Sequence, residues 1–267
     1  MIRQAQVSGQ FYRGTEEGLK KEISLYVQDL PRERVIGAVS PHAGYMYSGH
    51  VAGLVFSKIE FPETFLILGP NHTGLGSAVS LMAEGSWEIP LGRLEIDQVL
   101  AHRIYKQAST LVEKDDRAHL FEHSIEVQLP FIAYFKADAR FVPISIMQAS
   151  LKECEQLGQA IAKALSESDY PITIIASSDM SHYLPAQEAR RLDFLAIERI
   201  LDLDPEGLYN TVVAKRISMC GYLPVTTMLF AARQLGANKA ELVKYANSGD
   251  ITGDYSQVVG YAGIIVK

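Results

Sequence analysis

Three short polar segments carry most of the residues capable of chemistry, and each follows an apolar run. Pro41-His42-Ala43-Gly44-Tyr45 comes after the run 35–40, and Gly69-Pro70-Asn71-His72-Thr73-Gly74 after 64–68. Ser177-Ser178-Asp179-Met180-Ser181-His182-Tyr183 comes after 171–177. The chain has only seven histidines, so three at such boundaries is a pattern that chance seldom makes. The plainer alternative is three unrelated loop histidines, each satisfied by its own surroundings. Pro and Gly beside His42 and His72 fix tight turns that present an imidazole with little freedom. Metal ligation needs such rigidity, because nitrogen–metal distances of about 2.0–2.1 Å tolerate little wobble. Asp179 is placed to orient an imidazole or hold a water, and His182 to move protons near neutral pH.

Glu122-His123-Ser124-Ile125-Glu126 adds a fourth histidine between two carboxylates. His119 and His123 are four apart, as two ligands on one helix face would be, but Leu120 stands where zinc proteases carry glutamate. His119 is expected at the solvated start of a helix, with His123 the stronger candidate. Cys220 precedes a helix, a position that favours thiolate, whereas Cys154 lies in an ordinary amphipathic helix. The loop from Asn247 to Ser256 lacks both the EF-hand pattern and the nucleotide P-loop ending, and is expected to line the same cleft as a turn. Tyr12, Tyr45, Tyr47, Tyr183 and Tyr222 lie near these motifs as a possible aromatic wall.

The elements that would hold these residues alternate along the chain. Runs at 35–40, 64–68, 140–147 and 171–177 read as buried strands, the third with Pro143 as a warning of irregularity. Stretches at 77–82 and 87–96 read as extended, broken at Pro90-Leu91-Gly92. Helical patterns cover 50–59, 97–107 with Asp97 as N-cap, 124–135 interrupted by Pro130, and 151–166. Further helices are expected at 186–201, 205–216 and 223–235, with closing strands at 241–246 and 257–266. Buried strands alternating with helices indicate an α/β fold with a largely parallel central sheet, read as one domain over 1–267. The last two strands follow too closely for a helical crossover, so part of the sheet should be antiparallel. In such sheets ligands gather beyond the carboxyl ends of the strands, where His42, His72 and His182 fall.

Composition narrows the field of functions. The 267 residues are 48% hydrophobic and 21% charged, which fits a folded globular chain rather than a disordered or disulfide-stapled one. Net charge is −6 without a basic block, which speaks against nucleic-acid binding. Two distant cysteines read as reduced thiols. No signal-peptide core and no membrane-length apolar run is visible, so a cytoplasmic location is expected.

Taken in order, these motifs resemble the Memo family essentially end to end, from Gly9-Gln10-Phe11-Tyr12 through Cys220-Gly221 to Ser248-Gly249-Asp250. The resemblance implies a sandwich related to class III extradiol ring-cleavage dioxygenases, with the cleft at strand ends. It implies His42, His72 and Cys220 as metal ligands, His182 as acid/base with Asp179 beside it, and His123 as a second cleft histidine. The dioxygenases use glutamate where this chain has Cys220, so two imidazoles and a thiolate replace their two-histidine-one-carboxylate set. That set suits Fe(II) or copper, with zinc a third candidate. The implied function is a metal-dependent oxidoreductase, and the alternative is a non-catalytic protein using the cleft for a peptide or protein. Implied partners are a small-molecule or peptide ligand and AMMECR-type and radical-SAM proteins.

Overall fold

The computed structural model describes residues 1–267. Its strands are β1 (Ile2–Gln4), β2 (Gly37–Ser40), β3 (Thr64–Pro70), β4 (Val79–Leu81), β5 (Ser86–Ile89), β6 (Gly92–Glu95), β7 (Glu113–Lys114), β8 (Arg140–Ile146), β9 (Ile172–Ser177), β10 (His182–Leu184), β11 (Ala240–Asn247) and β12 (Val258–Val266). Its helices are α1 (Glu16–Ser24), α2 (Tyr45–Lys58), α3 (Gln98–Ala108), α4 (Arg117–Leu120), α5 (Leu129–Phe135), α6 (Leu151–Ser166), α7 (Ala186–Leu201), α8 (Pro205–Lys215), α9 (Tyr222–Gln234) and α10 (Gly249–Thr252).

The expected sheet is present. Its order is β10-β12-β2-β9-β3-β8-β4-β7, with β11 also on β12, and β2, β9, β3 and β8 run parallel at its centre. These strands read as unbroken apolar runs because both faces are covered: every residue of β3 is buried. A Cβ on Gly37 of β2 would strike Met228 of α9, while one on Gly263 of β12 would strike Val55 of α2. Those two glycines point to opposite faces of the paired strands, so α2 and α9 lie on opposite sides of the sheet. β11 and β12 are antiparallel, as their short connection requires. A small separate sheet, β1-β5-β6, includes the chain start.

Most expected elements stand within a few residues of their places, and the differences have physical reasons. Pro130 does not interrupt a helix. It sits in the first turn of α5, where its missing N–H costs nothing, and a 3-10 turn at Glu126–Gln128 leads into it. Pro143 lies within β8, but β4 pairs only with Ile144, Ser145 and Ile146, so the partner has run out there. The helix expected at 50–59 begins at Tyr45 and is buried on most of its surface. No helix is long and apolar enough to cross a membrane.

Strand order positions the site. β9 lies between β2 and β3, and all three run parallel. The chain leaving β2 carries His42, and the chain leaving β3 carries His72. They therefore flank Ser177, the last residue of β9.

Candidate metal centre

Ser177 sets the first imidazole. Its hydroxyl donates to the Ser124 carbonyl at 2.7 Å and accepts from Gln128 Nε2 at 2.9 Å. Its one proton is thus committed, so the contact to His42 Nδ1 at 2.9 Å has the ring N–H donating to Ser177. His42 Nε2 is left bare, which is the form that binds metal. Burial, and then the nearby His123 and His72, hold the His42 pKa well below its usual value, which keeps the ring neutral.

Glu122 sets the second. Its buried carboxylate accepts from His72 Nδ1 at 2.9 Å, and from the backbone N–H groups of His72 at 2.5 Å, His123 at 3.1 Å and Ser124 at 2.9 Å. Burial alone would raise its pKa, but His72 and these donors outweigh that and bring it to about 2. Burial would lower the His72 pKa, yet the hydrogen bond and charge of Glu122 leave it raised. His72 therefore also donates through Nδ1 and turns Nε2 outward.

His123 completes the cluster. Its segment is tied to two strand ends, because Ser124 donates from its hydroxyl to the Pro70 carbonyl at 2.9 Å while its own carbonyl takes the Ser177 proton. The His123 ring stacks on His72 at 4.8 Å between centroids and meets His42 edge-on at 5.5 Å, with Phe11 packed against it at 4.8 Å. Burial keeps its pKa below the usual value.

One ligand nitrogen from each of His42, His72 and His123 lies within 4.8 Å of the others. Nitrogens on one tetrahedral ion stand about 3.3–3.4 Å apart, so the set closes by ring movements that shorten its widest separation by about 1.5 Å. Cys220, expected as the third ligand, is not in this cluster, where His123 stands instead; its Sγ lies beside it, 3.2 Å from His42 Nε2. Nitrogen and sulfur ligands of one ion stand about 3.1–3.6 Å apart at bond angles of about 90–110°, and this separation falls within that range. The close approach needs Gly221, whose Cβ would lie 2.3 Å from the Ser177 carbonyl oxygen. Rigid imidazoles, two of them held through Nδ1 so that Nε2 faces the cluster, with an adjoining sulfur, fit a divalent transition metal.

The family model for Memo-like proteins matches residues 3–265. The chain belongs to the Memo-like family. It is 44% identical over 269 residues to a MEMO1 family protein of Methanosarcina barkeri, covering the whole of both chains. It is 43% identical over 282 residues to one from Methanopyrus kandleri, covering 100% of this chain and 99% of that one. An uncharacterized Escherichia coli K12 protein, known from its crystal structure, shares the fold at a TM-score of 0.60 and 14% identity, covering 87% of this chain and all of that one.

In this Memo-like chain, several residues stand differently from the sequence expectations. Asp179 does not touch the His182 ring. Its Oδ1 accepts from the backbone of His42 at 2.8 Å and of Ala43 at 3.3 Å, and its Oδ2 lies 4.0 Å from His42 Nε2. Burial raises its pKa despite these donors. His182 is oriented instead by the Ser218 carbonyl, 2.9 Å from its Nδ1. Burial and then the Asp179 charge push the Cys220 pKa up, favouring the thiol over the thiolate. The helix-terminus effect expected there is outweighed. His119 is buried completely, near the Ser80 carbonyl at 3.2 Å and beside Trp87, not solvated. Tyr12 and Tyr45 are core residues, whereas Tyr47 and Tyr183 line a cavity with the 248–257 loop. Ser177, Gln128 and the specific role of Glu122 escaped sequence reading. A carboxylate directly before His123 was the one available signal.

Proposed function

We propose that this Memo-like protein is a metal-dependent oxidoreductase whose centre is held by His42, His72, His123 and Cys220. The observation that carries the reading is the pair of fixed tautomers: Ser177 and the Glu122 carboxylate each take a ring N–H and leave the other nitrogen of His42 and His72 bare. A bound iron or copper supplies electron-transfer chemistry at this site. Four donors would complete a zinc tetrahedron and close it, whereas iron and Cu(II) accept further ligands. The redox reading therefore requires iron or copper in this donor set. Asp179 holds the His42 backbone in place, and its second carboxylate oxygen faces the same imidazole. His182 is the proton carrier. Its Nδ1–H is committed to the Ser218 carbonyl, so its Nε2 is free to take and return a proton.

The test is protein loaded anaerobically with iron or copper, followed by oxygen uptake and peroxide release with ascorbate as reductant. The wild type should turn over, and His182→Gln should keep its metal but lose roughly 100- to 10,000-fold in rate. Metal-loaded wild type without turnover would overturn the redox assignment. Turnover unchanged in His182→Gln would remove that residue from the mechanism.

A further inference from the structure

The tyrosines of this chain divide into two groups. Buried phenols elsewhere are paired: Tyr45 donates to the Val127 carbonyl, Tyr12 to Glu126 and Tyr245 to Asp193. Tyr261 is only 2% exposed, and its hydroxyl makes no hydrogen bond within the protein but remains accessible rather than fully enclosed. The Tyr261 side chain lines a cavity of about 480 Å³ together with Tyr47, Tyr183, Ser248, Thr252 and Asp254. The hydroxyls of Tyr47 and Tyr183 also lack protein partners.

Two further features mark this cavity as a ligand site. Tyr183 has a φ of 59°, a left-handed conformation that a bulky side chain adopts at a cost, and its ring is 72% exposed beside the cavity. No lysine or arginine lines the walls. The charge present is negative: Asp254, exposed at the rim, has Oδ1 hydrogen-bonded by Ser256 and Oδ2 facing outward. Ala43, next to the metal-ligand candidate His42, is on the same wall, so the cavity adjoins the centre.

We infer that this cavity binds a small aromatic molecule bearing an ammonium group. Tyrosine faces offer flat contact for the ring and cation–π attraction for the ammonium. Asp254 offers a counter-charge, and the free phenols offer hydrogen bonds. A carboxylate or phosphate would meet Asp254 without a compensating base. That this molecule is the substrate rests on the oxidoreductase reading, but its binding does not.

The probes are phenethylamine and its anionic analogue 3-phenylpropanoate, titrated calorimetrically into metal-free and zinc-loaded protein. Phenethylamine should bind in both states, and the anion roughly tenfold or more weakly. Asp254→Asn and Tyr183→Leu, both at exposed positions, should each weaken the amine roughly fivefold without changing zinc affinity. Equal or tighter binding of the anion, no binding of the amine, or an amine affinity unmoved by both substitutions would overturn the inference. Amine binding in a protein that fails to take up zinc would sink the metal centre and leave this site standing.

Discussion

A histidine can ligate through either ring nitrogen, and the hydrogen bond at the other decides which. In this protein the decision is made by a serine for His42 and by a carboxylate for His72. Neither partner would bind the ion itself, yet both should be expensive to lose. Glu122→Gln keeps one accepting oxygen but turns an NH₂ group toward backbone donors and gives up the charge facing His72. Metal affinity, measured by competition with a chromophoric chelator, should fall about 10- to 100-fold. An unchanged affinity would show that His72 needs no orientation. The individual imidazoles were legible because His42 and His72 follow strands directly. The tautomers were not, because Ser177 and His42 are 135 positions apart and their meeting depends on sheet order.

At the scale of elements, the segment from His119 to Gln128 is held more by polar contacts than by regular structure. Arg3 reaches across from β1, giving Nε to the His119 carbonyl at 2.6 Å, one terminal nitrogen to the Glu122 carbonyl at 2.7 Å and the other to Glu126 at 2.7 Å. Glu126 also accepts from Tyr12 and from the backbone of Gln6 and Val7. Breaking this buried pair strands a charge, so Glu126→Ala should lose about 3–5 kcal/mol in urea unfolding. Removing Arg3 as well should recover part of that loss, and additive losses would argue against direct coupling. Asp97 gives a pH-dependent counterpart at the start of α3. Burial would raise its pKa, but the Leu100 N–H, Thr64, Tyr170 and Arg140 together lower it. A lowered folded value means its stabilisation is complete above the ordinary carboxylate range and is lost as pH falls through that lowered value. Asp97→Asn should therefore flatten the dependence of stability on pH below about pH 4, and an unchanged slope would contradict this. The Asp97 cap was readable because a cap is a local signal, as were the apolar strand β9 and the amphipathic α6. The burial of His119 and the anchoring of Glu126 were not, since the His119 ring meets Ser80 39 positions away and Glu126 pairs with Arg3 123 positions away.

At the scale of the whole molecule, His42, His72 and His123 meet, with Cys220 beside His42, because parallel strands end on one rim and a non-regular segment is tied across it. The α/β fold was legible from the alternation of buried strands and helices. The place of His123 among the other imidazoles was not, because nothing local says that Ser124 bonds to two strand ends. The account rests on one donor set, and X-ray absorption at the zinc edge reads it directly in protein loaded with one equivalent of zinc. The prediction is three imidazole nitrogens at about 2.0–2.1 Å and one sulfur at about 2.3 Å. A shell of oxygens without imidazole or sulfur, or a protein that retains no zinc, would contradict it.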